Sequence, residues 1–259
     1  MDSSKPTYII GYMMLAAAVF SALITGVYLS QEKTLERNRN LMEQRSLVDV
    51  FDLGTSEEMT EQEISRAVEE RLDRSTTITD PETGWETTLY KAYDSEAKQS
   101  IQAYGFQFRG LGFWAPIIGV LAINPAMDRT VGLTILEQAE TPGLGGRITG
   151  AEFRRQFEQG LHLTPPDSGE KWLIFTPTPP ETSGPTRHVE AITGATQTCN
   201  ALERILNTHI PRFFRAMQNR EAGTNKTAAS GHMPAPSGVA RRVARIPDPS
   251  NTSAAGPEE

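Results

Sequence analysis

At 259 residues, with a formal net charge of −7 and 38% apolar residues, the chain has room for one sizeable domain plus appendages. The acidic balance argues against nucleic acid as a partner, and a single cysteine, Cys199, excludes an intrachain disulfide, a Cys-built metal site and an iron–sulfur cluster. A redox role would therefore need an organic cofactor.

From Tyr8 to Leu29 the chain reads YIIGYMMLAAAVFSALITGVYL, without a charge. About 20 such residues suffice to cross a bilayer as a helix. A cleaved signal peptide is the alternative, but the apolar stretch is too long and no cleavage site is evident. The pattern predicts a transmembrane helix over 8–29, which leaves residues 1–7 on one side of the membrane and the rest of the chain on the other. Lys5 is the only basic side chain before the span, whereas Lys33, Arg37, Arg39 and Arg45 follow it. The positive-inside rule alone would keep the following chain in the cytoplasm, although large domains often translocate regardless of such charges.

Residues 30–90 read as a helical membrane-proximal segment. Gln31 to Gly54 is polar, with apolar positions at Leu35, Leu41, Met42 and Leu47, which predicts a helix leaving the membrane. Ser56-Glu57-Glu58 introduces a second helix with Met59, Ile64, Val68 and Leu72 on one side. Asp73 to Tyr93 is mixed, with turn residues at Asp80-Pro81 and Thr83-Gly84.

The interior begins near Tyr104. Ala115–Ile123 and Val131–Glu137 are rich in β-branched residues and predict an antiparallel pair of strands. Ahead of them lies Gly110-Leu111-Gly112-Phe113-Trp114, flexible and then bulky, with Trp114 expected in the core. In Glu140-Thr141-Pro142-Gly143-Leu144-Gly145-Gly146, Pro142 fixes one φ. The glycines there permit positive φ and close approach of backbone to something flat or anionic. A helix follows over AEFRRQFEQGL, with Phe153, Phe157 and Leu161 inward, then a strand over Lys171–Phe175 and a proline-rich loop, TPTPPETSGPTRH.

That loop delivers the chain to His188–Asn200. Leu202, Ile205, Leu206 and Ile210 recur behind it at near-helical spacing. Thr193 or Thr196 is placed to cap this helix, and Gly194 and Ala195 leave no bulk over its first turn. The free N–H groups and positive dipole end make a seat for a phosphate, and a threonine hydroxyl there is a possible point of ester attachment. Taken alone, the stretch also reads as an ordinary helix cap. His162, His188 and His209 lack metal-ligand spacing. Asn219 to Glu259 is Ala/Pro/Gly/Ser-rich, which predicts a disordered tail over about residues 216–259. Periodicity by itself supports an α+β domain on a membrane anchor.

Two motifs add a resemblance. Glu190-Ala191-Ile192-Thr193-Gly194-Ala195-Thr196 resembles the Asp-x-x-(Ser/Thr)-Gly-Ala-Thr signature of the covalent FMN-binding family, with Glu190 where the family usually has Asp. That family includes the C-subunit of the sodium-translocating NADH:quinone reductase (Nqr) and the G-subunit of the Rnf electron-transport complex. Glu140-Thr141-Pro142-Gly143-Leu144-Gly145 resembles the family's second hallmark, in the expected order a few dozen residues earlier. The segment after the anchor also resembles that of the Nqr C-subunit, and the likeness covers most of residues 8–215.

The resemblance implies a mixed or antiparallel sheet flanked by helices, an FMN-binding domain over 91–215, on a single N-terminal transmembrane helix. It implies FMN held as a phosphoester on Thr196, placed there by a flavin transferase that draws on FAD. It further implies cofactor contacts from Thr193, Gly194, Ala195, Thr198, Glu140, Thr141, Leu144 and Gly145, with no catalytic side chain and no metal ligand. The expected role is an electron-transfer component of a sodium-transporting NADH:quinone oxidoreductase, among other integral-membrane subunits, with its flavin domain on the periplasmic face of the bacterial inner membrane. A G-subunit of the Rnf type and a flavin-free membrane-tethered adaptor are the alternatives.

Overall fold

The computed structural model describes residues 6–166, 170–180 and 186–229, with side chains for residues 8–220 of these. One compact unit runs to Glu221; the second, from Ala222, is described only as the last turns of a helix.

Helix α1 (Pro6–Val50) is one rod of 45 residues, about 68 Å at 1.5 Å per residue. Its apolar part has a mean hydropathy of 2.0 over an 18-residue window, none of it buried, and is long and apolar enough to cross a membrane. Its last turn enters the protein core through Leu47, Val48 and Val50, followed by Phe51 and Leu53. The anchor and the polar helix expected after it are therefore continuous. No glycine or proline lies between Val27 and Val50 to interrupt the hydrogen-bond ladder.

Helix α2 (Glu61–Arg71) starts later than Ser56 suggested. Thr60 caps it, its hydroxyl accepting from the Glu63 N–H while the Glu63 carboxylate accepts from the Thr60 N–H. Ser56 instead donates its hydroxyl and its N–H to Asp49.

Strands β1 (Leu72–Thr79), β2 (Glu86–Tyr93), β3 (Ile101–Leu111), β4 (Pro116–Ile123) and β5 (Thr130–Glu137) form an antiparallel meander in sequence order. The α+β class and the β4–β5 pair are as the sequence indicated. The assignment of residues 72–90 to a helical segment is corrected, since they supply β1 and the start of β2. Strand β3 is an addition to the pair expected from the sequence; Gly105 and Gly110 interrupt its apolar alternation.

Both faces of the sheet are covered, so β4 is nearly all buried rather than alternating. Val120 and Ala122 face the end of α1 and α2. Ile117, Leu121 and Ile123 face the other layer. That layer holds α3 (Ala151–Glu158) and α4 (Thr196–Ala229), together with a two-stranded parallel sheet of β6 (Ile174–Thr176) and β7 (His188–Glu190).

The strand expected from Lys171 begins only at Ile174. The N–H groups of Trp172 and Leu173 donate to Asn207 Oδ1 of α4, at 2.7 and 3.1 Å, which replaces a strand partner. Helix α4 continues past the expected boundary at 216, to Ala229; residues 230–259 of the expected tail lie outside the described residues.

Candidate functional site

Three chain segments converge at the start of α4. The first is the β3–β4 turn, closed by the Gly112 N–H on the Ala115 carbonyl at 2.9 Å. The second is the loop from Glu140, where the Leu144 and Gly146 N–H groups both donate to the Thr141 carbonyl at 3.1 and 3.0 Å. A short 3-10 turn (Gly145–Thr149) ends that loop. The third is the turn Ile192–Ala195, closed by the Ala195 N–H on the Ile192 carbonyl at 3.0 Å. Gly194 has a φ of 82°, a left-handed conformation that disfavours other residues.

Glu140 ties these segments together. Only 4% of it is exposed. Its Oε1 accepts from the N–H groups of Phe113 and Trp114, at 2.8 and 3.2 Å, and its Oε2 from the Thr198 hydroxyl at 2.7 Å. Close backbone approach is what the glycines provide. A Cβ on Gly145 would collide with Thr198 Oγ1, and one on Gly194 would lie 3.3 Å from Leu144 Cδ2. Gly145 itself does not adopt a positive φ, so space rather than backbone conformation makes it glycine.

Thr196 is the first residue of α4, and it is exposed, as are Thr193 and Gly194. Ala195, Thr198 and Cys199 are buried beneath them. The first turn of α4 carries no acidic residue to oppose an anion. The Cys199 sulfur accepts from the Ile192 N–H at 3.3 Å, and burial pushes its thiol up, which makes it a packing residue rather than a nucleophile.

The sequence-based expectation for Trp114 is corrected. Trp114 is 66% exposed and Phe113 52%, their rings edge to face at 4.8 Å, because the Glu140 bonds hold their backbone inward and turn the side chains out. The Trp114 indole N–H donates to the Thr141 hydroxyl at 3.2 Å. Leu111 and Leu144 are exposed as well. Arg204, two turns into α4, donates to the Leu111 carbonyl at 3.0 Å and seats the helix against this turn.

Sequence reasoning missed Gln156, whose amide holds Glu190 at both backbone groups. The Glu190 N–H donates to Gln156 Oε1 at 2.6 Å, and Gln156 Nε2 donates to the Glu190 carbonyl at 3.3 Å. The Glu190 side chain is exposed and, with Arg147, Phe153, Ile192 and Thr193, lines an open cavity of about 260 Å³. Among the described residues, no cluster of His, Cys, Asp and Glu has metal-binding geometry.

The chain is similar to known proteins in sequence and in fold. The FMN-binding domain family matches residues 112–210, which contain all three convergent segments. The C-subunit of the Na(+)-translocating NADH-quinone reductase of Chlamydia pneumoniae is 32% identical over 115 residues, 40% of this chain and 36% of that protein. The match thus spans little more than a third of that relative. The crystal structure of Shewanella oneidensis NqrC shares the fold, with a TM-score of 0.54 at 20% identity, over 75% of this chain and all of that one. The C-subunit of the Parabacteroides distasonis reductase does likewise, with a TM-score of 0.56 at 16% identity, over 71% of this chain and 95% of its own. Residues 112–210 thus match the FMN-binding domain family, and the chain is similar to the C-subunits of the Na(+)-translocating NADH-quinone reductases, whose fold it shares.

Proposed function

We propose that this chain is an NqrC-like electron-transfer protein that holds FMN as a phosphoester on Thr196, among the other membrane subunits of an NADH:quinone reductase. The observation that carries this reading is the exposed Thr196 at the positive end of α4, faced by the Glu140–Gly145 loop through the Gly194–Leu144 and Gly145–Thr198 contacts. An ester anion there is stabilised by the first-turn N–H groups and the helix dipole.

FMN, when bound, supplies one- and two-electron chemistry; the protein supplies place and environment. Thr193, Gly194 and Ala195 form the turn that leaves the Thr196 hydroxyl accessible to a flavin transferase using FAD. Thr141, Leu144 and Gly145 line the loop beside it, and Glu140 and Thr198 back it from within. Phe113 and Trp114 offer exposed aromatic faces, Trp114 oriented by Thr141. No proton-transfer side chain is required. Helix α1 anchors the domain in a membrane, and the covalent bond keeps the cofactor on a periplasmic face where free FMN is scarce.

Intact-mass measurement of the full chain co-produced with a flavin transferase tests the assignment. The wild type is expected to gain one FMN less water, Thr196→Ala to gain nothing, and Thr193→Ala to gain it in lower yield. An unmodified wild-type mass would refute the assignment.

A further inference from the structure

We propose that Glu140 is a positioning residue: its buried carboxylate locks Thr198, in the first turn of α4, to the backbone of Phe113 and Trp114. It thereby fixes the exposed aromatic pair relative to the attachment threonine. The functional meaning rests on the flavin reading above; the coupling rests on geometry.

An ionised carboxylate is an acceptor with two oxygens, so it can accept from several segments at once. Glu140 does so with donors from the β3–β4 turn and from α4, all of them neutral. Its neighbours are shaped for that approach. A Cβ on Gly112 would lie 2.5 Å from Glu140 Oε1, and a Cβ on Gly145 would collide with the Thr198 hydroxyl. Thr198 lies two residues beyond Thr196 in the same helical turn, so displacing one moves the other. At the other end, Trp114 is anchored three times, through its own N–H, through that of Phe113 and through its indole on Thr141, the residue after Glu140.

Chemistry separates a positioning role from a charge role. Glutamine at 140 keeps an oxygen for the two backbone N–H groups and turns an amide N–H toward Thr198 Oγ1, which then accepts. Alanine offers neither contact and leaves buried donors unpaired. The test uses the full chain in detergent as wild type, Glu140→Ala, Glu140→Gln and Thr198→Val, each with and without flavin loading.

Without flavin, amide exchange at Phe113 and Trp114 is expected to rise at least tenfold in Glu140→Ala, with the β1–β2 hairpin unchanged, and to stay near wild type in Glu140→Gln. With flavin, the visible circular dichroism of the attached ring is expected to fall several-fold in Glu140→Ala at undiminished flavin mass, and to recover in Glu140→Gln. Wild-type protection in Glu140→Ala would overturn the proposal, as would a Glu140→Gln protein behaving like Glu140→Ala. If Glu140→Ala does not fold, Thr198→Val carries the test, with raised exchange at 113–114 supporting the coupling and unchanged exchange refuting it. A wild-type chain that gains no flavin mass would refute the flavin assignment, while the flavin-free exchange would still decide the coupling.

Discussion

Arg215 of α4 grips Asp80 in the β1–β2 turn, its Nε donating to Oδ1 at 2.9 Å and its Nη2 to Oδ2 at 2.7 Å. The Asp80 side chain is fully buried, and it also accepts from the Thr83 hydroxyl and the Glu82 N–H. The Arg215 hydrogen bonds, above all, hold its carboxyl well below the usual carboxylate range. The far part of the helix that opens at Thr196 is thus stapled to the β1 edge of the sheet, 135 residues earlier in the chain.

Arg215→Ala should leave a buried carboxylate served only by neutral donors. Removing one partner of such a pair costs about 3–5 kcal/mol, and the guanidinium here is 30% exposed, so a loss of about 3 kcal/mol is expected. Urea unfolding followed by tryptophan fluorescence measures it, and a loss below about 1 kcal/mol would mean that the other donors suffice.

Acid stability should report the same region. Asp73 is lowered to about 2, first by the Ser75 hydroxyl and N–H and then by Lys91; Asp80 is lowered further. Both folded carboxyls bind protons less readily than in the unfolded chain, where Asp titrates near about 3.9. Their stabilisation is therefore complete above about pH 4 and lost as pH falls through that value toward about 2. Asp80→Asn should start less stable at neutral pH but lose stability less steeply over this window. Parallel wild-type and variant slopes would contradict it.

Gly145→Val should disturb the site by overpacking. The new side chain meets Thr198 Oγ1 and the Glu140 side chain, and such insertions cost about 1–3 kcal/mol. The expected product carries flavin on Thr196 but holds it loosely, with a changed midpoint potential. An unchanged potential and flavin spectrum would place the loop away from the cofactor.

Topology is testable at an exposed loop. Ala97→Cys in a Cys199→Ala background puts the sole thiol in the β2–β3 connection. With a periplasmic domain it should react with a membrane-impermeant thiol reagent once the outer membrane is permeabilised. Labelling only after the inner membrane is broken would reverse the orientation and follow the basic residues after the span instead.

Local patterns carried much of this protein. The β4 and β5 runs, the apolar span and the inward face of α3 followed from spacing, because each rests on side chains close in sequence. The order of the two motifs likewise pointed to one site. What escaped was set by long-range contacts. Trp114 reads as core until Glu140, 26 residues on, claims its backbone N–H and turns the ring outward. Residues 171–173 read as strand until Asn207 takes the N–H groups of Trp172 and Leu173. Gln156 carries no local signal for its hold on Glu190, which depends on how α3 crosses β7.

Because α1 runs unbroken from its apolar stretch into the core, a bilayer that takes up that stretch would give the domain a fixed bearing as well as a fixed height above the lipid. Each residue of the rod contributes about 1.5 Å of rise and about 100° of rotation. One residue inserted between Gln31 and Glu36, before the Arg37–Glu61 and Arg39–Glu137 ion pairs tie the rod to the domain, would swing the Thr196 face about 100° around the axis of the rod. Seven would lift it by about 10 Å yet return it to within about 20° of its original heading. A length series in this stalk therefore separates two demands that a neighbouring redox partner could make on the domain: how far away it stands, and which way it faces.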